Sequence, residues 1–200
     1  DRDRAIARAR TPSLEVRTAT SVALDRTFDG RLTASEIEVI DFSRVAGRPF
    51  GPRFGTLVHA TLAIVPLDAS EQVIAAVARA QGQILLTGGR DGYADEELYA
   101  AVEVVSTLLR DPLFDRVRQA DRDGRCDREL PIAWTAPDGT MVEGTIDLAF
   151  EDAAGLTVVD FKTDRELSAD LDRYRRQLSV YCQALSAFRQ TTARGILARV

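Results

Sequence analysis

The sequence predicts an α/β fold with a helical N-terminal half and a strand-rich C-terminal half. Three observations carry this. Apolar residues recur at helical spacing between about residues 55 and 118. Near residue 128 the pattern changes to strand alternation, in three runs separated by short turns. A long amphipathic helix and one further apolar run then close the chain.

Residues 1–31 are polar, mix both charges and have weak periodicity, so they read as a linker or lead-in arm. Thr33-Ala34-Ser35-Glu36 has the form of a capping box, and Ile37, Val39, Ile40 and Phe42 follow it. That predicts a short helix over about 33–45. Gly47, Pro49, Gly51, Pro52 and Gly55 make a breaker-rich loop. A helix is expected from about Gly55 to Ile64, stopped by Pro66, with His59 in its middle. Residues 70–81 place Val73, Ile74, Val77 and Ala80 on one helical face. Gly88-Gly89 interrupts the chain, Glu96–Leu109 gives another helix, and Pro112 opens a helical turn reaching about Arg118.

Glu129–Thr135, Met141–Phe150 and Leu156–Lys162 read as three strands. Pro137-Asp138-Gly139 is a turn between the first two, because Pro presets φ and Gly accepts a positive one. Short turns imply an antiparallel meander. Ala169–Phe188 is a long helix with Leu171, Tyr174, Leu178, Tyr181, Cys182 and Leu185 on its apolar side, and Arg194–Val200 is a last strand. A strand–helix–strand connection favours a parallel crossover for that strand.

Composition narrows the function classes. The 200 residues are 45% hydrophobic and 28% charged, enough for a core without staples. No apolar run is long enough for a transmembrane helix, and nothing resembles a secretory signal, so a cytoplasmic setting without membrane partners is expected. Cys126 and Cys182 are far apart, without CxxC spacing, and read as packing residues. A net charge of −5 argues against a free-standing high-affinity DNA binder, but carboxylates that hold a cation add to that total.

The chemistry concentrates in Asp147, Asp160, Phe161 and Lys162. Two adjacent strands bring one carboxylate each to about the same level. Two converging carboxylates repel unless a cation lies between them, and Mg²⁺ favours such oxygen ligands. Residues two apart in a strand face one way, so Asp160 and Lys162 share a side and Phe161 turns to the other. A lysine beside a metal can orient or deprotonate water, or neutralise charge developing on phosphorus. The plainer alternatives are turn-capping aspartates and an ordinary Lys162–Asp160 salt bridge; yet Asp160 interrupts an apolar run, where an unpartnered carboxylate is costly.

Gly144-Thr145-Ile146-Asp147-Leu148 followed by Val158-Val159-Asp160-Phe161-Lys162-Thr163-Asp164 resembles the core of PD-(D/E)xK nucleases of the RecB/AddA type. Gly55-Thr56-Leu57-Val58-His59 is similar to that branch's G-x-x-x-H helix, and Glu129-Leu130-Pro131 to its E-x-P strand. Tyr174 with Gln177 and Tyr181 is similar to its Y-x-x-Q-x-x-x-Y helix. The five pieces stand in the family's order across about residues 32–200.

The resemblance implies a restriction-endonuclease-like core: a mixed central sheet flanked by helices, with a helical part at 32–127 and a catalytic core at 128–200. It implies a Mg²⁺-dependent deoxyribonuclease, more exonuclease than endonuclease, in which Mn²⁺ can substitute. Asp147 and Asp160 would be metal carboxylates, joined by His59 and the Phe161 backbone carbonyl. Lys162 would be the catalytic lysine. Gln177 and Tyr181 would line the active-site edge, and Glu129 would be a supporting acid. Tyr174, Arg173 and Arg176 are candidates for DNA contact, although Arg173, Arg175 and Arg176 equally suit a solvated face. A lone histidine is ordinarily a filler, so His59 owes its ligand reading to its motif. Two cysteines cannot supply the four-cysteine iron–sulfur clamp of some relatives, so no cluster is expected. The implied setting is the C-terminal nuclease domain of a helicase–nuclease that repairs double-strand breaks or resects DNA ends, with the single strand delivered by the motor or by a partner repair subunit. The contrasting reading is a catalytically silent DNA-binding or scaffold domain.

Overall fold

The computed structural model describes residues 15–25, 36–42, 49–85, 92–163 and 167–200. The capping-box residues at 33–35, Gly47, Gly88-Gly89, Asp164 and the arm at 1–14 lie outside them. Among the described residues six strands form one mixed sheet: β1 (Val16–Thr18), β2 (Ile37–Asp41), β3 (Cys126–Thr135), β4 (Met141–Asp152), β5 (Gly155–Lys162) and β6 (Ala193–Arg199). Among the same residues six helices cover it: α1 (Ala19–Leu24), α2 (Pro52–Ile64), α3 (Glu71–Leu85), α4 (Asp95–Arg110), α5 (Pro112–Arg122) and α6 (Leu167–Arg189).

The expected meander is present. β3, β4 and β5 are antiparallel neighbours, and β6 returns parallel to β5 after α6. β2 then pairs with β6, also parallel. β3 occupies one whole edge of β4, so β1 and β5 share the other: Val16–Thr18 against Met141–Glu143, and Gly155–Val159 against Leu148–Asp152. Residues 144–147 of β4 pair with neither β1 nor β5. Among the described residues β3 has no second neighbour and is an edge strand.

Each face of the sheet has its own core. Leu148, Phe150, Val159, Phe161, Ile196 and Ala198 pack under the helices α2–α5. Val142, Ile146, Leu156, Val158 and Leu197 pack under α6 and α1. In β5 and β6 this is ordinary two-residue alternation. β4 breaks it. Ile146 faces α6, whereas Leu148, two residues on, faces the helical layer. β3 breaks it opposite: Leu130 packs toward α6, whereas Arg128 donates to the Leu62 and Val65 carbonyls at the end of α2 (3.1 and 2.6 Å). The pleat therefore inverts across both strands at Glu129 and Asp147.

Two expectations need correction. Ile37–Asp41 is a strand, not part of a helix over 33–45. Ile37 and Val39 face α6, while Ile40 and Phe42 face the other core, so β-branched residues satisfy both layers at once. The i, i+3 pair Ile37 and Ile40 imitates a helical stripe. The lead-in arm is likewise not a linker at Val16–Leu24, which forms β1 and α1 with Val22 and Ala23 buried. Arg176 on α6 donates to the Ala23 carbonyl (2.8 Å), capping α1.

The helices follow their local chemistry, with longer ends than expected. α2 begins at Pro52, whose ring presets φ for a first helical position. α5 begins at Pro112 after Asp111 accepts from the Leu113 N–H (2.8 Å), and runs to Arg122. Arg116 on α5 donates to Asp152 at the end of β4 (2.7 Å). No described helix is long and apolar enough to cross a membrane.

Gly195 permits α6 to lie on β6: a Cβ there would fall 2.8 Å from Leu178 Cγ, a buried branch point. Gly195→Ala is expected to cost about 1–3 kcal/mol, as overpacked cores do, measured by urea unfolding. The Arg116 hydrogen bond holds the Asp152 carboxyl below its ordinary 3.8. A depressed carboxyl stabilises above its unfolded pKa and loses that contribution as pH falls through the folded one. Wild-type stability should therefore decline more steeply than that of Arg116→Ala as pH drops below about 4, and parallel declines would refute the linkage.

Candidate active site

The inverted pleat, the open stretch of β4 and α2 meet at one place. In the β4–β5 register the next pair after Leu148↔Val159 would be Asp147 opposite Asp160, so the two carboxylates do stand at one level. The ladder stops there because the strands part. Asp147 replaces the missing backbone bond: its Oδ2 accepts from the Phe161 N–H at 2.8 Å. Its Oδ1 lies 3.3 Å from His59 Nδ1. The other ring nitrogen, Nε2, is 3.0 Å from the Phe161 carbonyl oxygen. His59 thus bridges β4 and β5 from the helical layer.

Both contacts of His59 are acceptors, so a ring protonated on both nitrogens satisfies them together. Burial alone would lower the His59 pKa, but the bond to Asp147 and its charge outweigh this, and the net direction is upward. Asp160 is 3% exposed on the α6 side of β5. Burial raises its pKa, Lys162 opposes the rise, and Asp147 adds to it. Lys162 Nζ reaches 2.8 Å from Asp160 Oδ2. That approach is short but off the hydrogen-bonding direction, so this buried oxygen has an ion-pair partner and no aligned donor. Burial disfavours the Lys162 charge; Asp160 more than compensates, and its pKa is raised. Lys162 is therefore an ammonium at neutral pH. It also lies 4.8 Å from the centre of the Tyr174 ring on α6.

Two motif glycines bring the elements together. A Cβ at Gly55 would sit 2.8 Å from Thr163 Oγ1, so the glycine one turn before His59 lets α2 approach the end of β5. A Cβ at Gly144 would sit 2.8 Å from Tyr181 Cε1, so this glycine seats Tyr181 against β4. Tyr181 Oη accepts from Gln177 Nε2 (3.2 Å), which also donates to Thr20 on α1 (3.2 Å). Burial raises the Tyr181 pKa, with the Gln177 bond opposing, so the phenol stays neutral.

The remaining candidates fall at varying distances from this centre. Glu129 comes into it: the ligand atoms of His59, Glu129 and Asp147 all lie within 4.8 Å of one another. Its backbone has φ 49°, a conformation that costs a non-glycine residue about 1–3 kcal/mol. Burial and then the Asp147 charge raise its pKa. Arg173 donates to Tyr174 Oη (2.8 Å), beside the site. Arg176 is occupied in capping α1. Cys126 and Cys182 are not joined in a disulfide, and burial pushes Cys126 up to about 11. A cleft of about 560 Å³ opens onto His59, Glu129, Phe161, Lys162 and Tyr174, and α2 adds Thr56, Ala60 and Ile64 to its wall. Thr163 and the α2 wall were not among the expected site residues. Gly55 was the available signal, since its spacing to His59 puts both on one helical face.

This arrangement, with its motifs in order, defines the class. Residues 34–199 match the model of the PD-(D/E)XK nuclease superfamily, and the chain belongs to that superfamily. Among individual proteins it is similar to an ATP-dependent helicase/nuclease subunit of Anoxybacillus flavithermus, 29% identical over 144 residues, which is 66% of this chain and 11% of that protein. A shorter stretch of 51 residues is 47% identical to the ATP-dependent helicase/nuclease subunit of the same name from Desulforudis audaxviator, covering 24% of this chain and 4% of the relative. The chain thus spans a small part of the relatives it matches.

The close approach at Gly55 makes a specific prediction. Gly55→Ala should be more favourable in a Thr163→Ala background than in the wild type by at least about 1 kcal/mol, a coupling usual for groups in contact. Additive effects in thermal unfolding would show that the two elements do not press on each other there.

Proposed function

We propose that this chain is a metal-dependent deoxyribonuclease module, the nuclease part of a helicase–nuclease acting in double-strand-break repair or DNA end resection. One observation carries the reading: Asp147, Asp160 and the Lys162 ammonium converge where β4 and β5 part, with His59 facing them from α2. The residues present fit a divalent cation. Asp160 Oδ2 is buried without an aligned donor, and Asp147 Oδ1 and the Phe161 carbonyl are acceptors shared by one histidine. Asp147, Asp160, His59 and the Phe161 carbonyl would hold the ion, Mg²⁺ by preference for oxygen, with Mn²⁺ as a substitute. A bound cation polarises the scissile phosphate and lowers the pKa of an attacking water.

The protein's own groups divide the remaining work. Lys162, kept protonated by Asp160, serves as a cation and donor to charge developing on phosphorus, rather than as the base. Tyr174 confines Lys162 from the α6 side. Gln177 and Tyr181 form the edge beneath, and Arg173 beside Tyr174 can meet a phosphate. Among the described residues lining the cleft there is no arginine, and the net charge is −5. Little in the cleft attracts a polyanion from solution, which supports a single strand fed by a motor or partner protein, and exonucleolytic action. Such work belongs in the cytoplasm, on nucleoid DNA. The nuclease domain would run from about residue 32 to 200, extended by β1 and α1.

Purified protein should degrade single-stranded DNA with Mg²⁺ or Mn²⁺, and EDTA should stop it. Asp160→Ala and Lys162→Ala should each reduce cutting at least about 10²-fold, with near-ultraviolet dichroism unchanged. Both variants should also be made in the full-length parent protein. Full activity in either one would overturn the assignment of cutting to this site, and a wild-type protein that does not cut would favour a silent DNA-binding or scaffold role.

A further inference from the structure

The cleft extends past the reacting groups. α2 turns one face toward it, from Pro52 and Gly55 through His59 to Ala63 and Ile64, at the spacing of a single helical stripe. At 1.5 Å per residue that face is about 18 Å long. His59 stands in its middle, so only part of its length serves the acids on β4 and β5. Beyond His59 the stripe is apolar: Ala60 and Ala63 are half-buried, and Ile64 is 54% exposed. Gln81 reaches the same cleft from α3. Beside it Gly82 is buried, its Cβ position 3.9 Å from Leu57 Cδ1, which sets α3 against α2 within a turn of His59. No hydrogen bond or ion pair among the described residues engages the Gln81 amide. Two donors and an acceptor are thus left open beside an apolar strip.

Charge decides what such a wall can hold. Among the described residues lining the cleft, Lys162 is the one lysine or arginine. Thr56 spends its hydroxyl proton on the Pro52 carbonyl (2.8 Å). A phosphate laid along the stripe beyond His59 would leave water for aliphatic side chains with no cation to meet it, which is strongly unfavourable. The flat faces of a nucleobase gain by the same move, and its edge needs a partner that can donate and accept. We propose that Ala60, Ala63, Ile64 and Gln81 form a nucleobase subsite, which receives an unpaired base next to the phosphate held at Lys162. This subsite rests on the deoxyribonuclease reading above and names its substrate, a strand whose bases are free. Two alanines leave room for a ring to lie flat. The amide can turn over to suit a donor or an acceptor edge, so binding tolerates any sequence. A duplex hides both faces and edges of its bases, and a cleft of about 560 Å³ has the size of a small-molecule site.

Bases and phosphates can be separated with the 200-residue chain held in EDTA, so that nothing is cut. Binding is followed by fluorescence anisotropy of labelled probes: a short oligodeoxythymidylate, an abasic deoxyribose-phosphate strand of equal length, and a blunt duplex. Wild type should bind the thymidylate at least about tenfold more tightly than the abasic strand or the duplex. Gln81→Ala and Ile64→Ser change side chains that reach the cleft, and should leave Tm unchanged. Each should weaken the thymidylate by about three- to tenfold and leave the abasic strand as it was. A wild type without that preference would overturn the proposal, as would variants that weaken both strands alike or neither. If such a wild type still cuts single-stranded DNA with Mg²⁺, only the subsite falls. If it does not cut, the deoxyribonuclease reading falls with it.

Discussion

The architecture depends on the two oxygens of Asp147. One replaces a backbone acceptor for Phe161 and lets β4 leave β5 without stranding a buried N–H. The other faces His59. A single side chain therefore ends a ladder and fixes a helix against the sheet. Without it the parting of the strands would leave an unsatisfied donor beside a buried carboxylate, a combination that interiors rarely tolerate. The separation it permits is the space in which the proposed chemistry occurs.

Around that point the two cores act as opposing clamps. Phe161, stacked on Phe114 with ring centres 6.4 Å apart, ties β5 to the helical layer. Leu156, Val158 and Leu178 tie the same sheet to α6. Asp160 and Lys162 sit on the α6 face and His59 on the other, so the site straddles the sheet edge-on. Neither layer alone assembles it. The close approaches at Gly55 and Gly144 are where each layer descends far enough for its polar groups to meet.

Much of this was legible because period and motif agreed. The alternation of Met141–Phe150 and Leu156–Lys162 located both acids on adjacent strands, and the short turns at Pro137-Asp138-Gly139 and after Glu151 forced the meander antiparallel. The spacing of Gly55 and His59 put the histidine on a packed helical face. What could not be read had non-local causes. Ile37–Asp41 resembles a helical stripe until β6 offers it a parallel partner, and Val16–Leu24 gains its burial only against β4 and α6. The pleat inversion leaves no periodic trace, because it reverses alternation at a single residue in each strand. The position of Glu129 followed from that reversal, which is why its motif alone said little about its role.

The edge strand β3 has a consequence for the company the protein keeps. A ten-residue outer strand is an open template on which another chain could continue the sheet. Here Pro131 removes one donor from the middle of it, and Asp127, Arg128 and Glu129 place charges along its first half, with Asp127 paired to Arg189 at 3.0 Å. A strand interrupted in this way is a poor template for sheet extension by another chain.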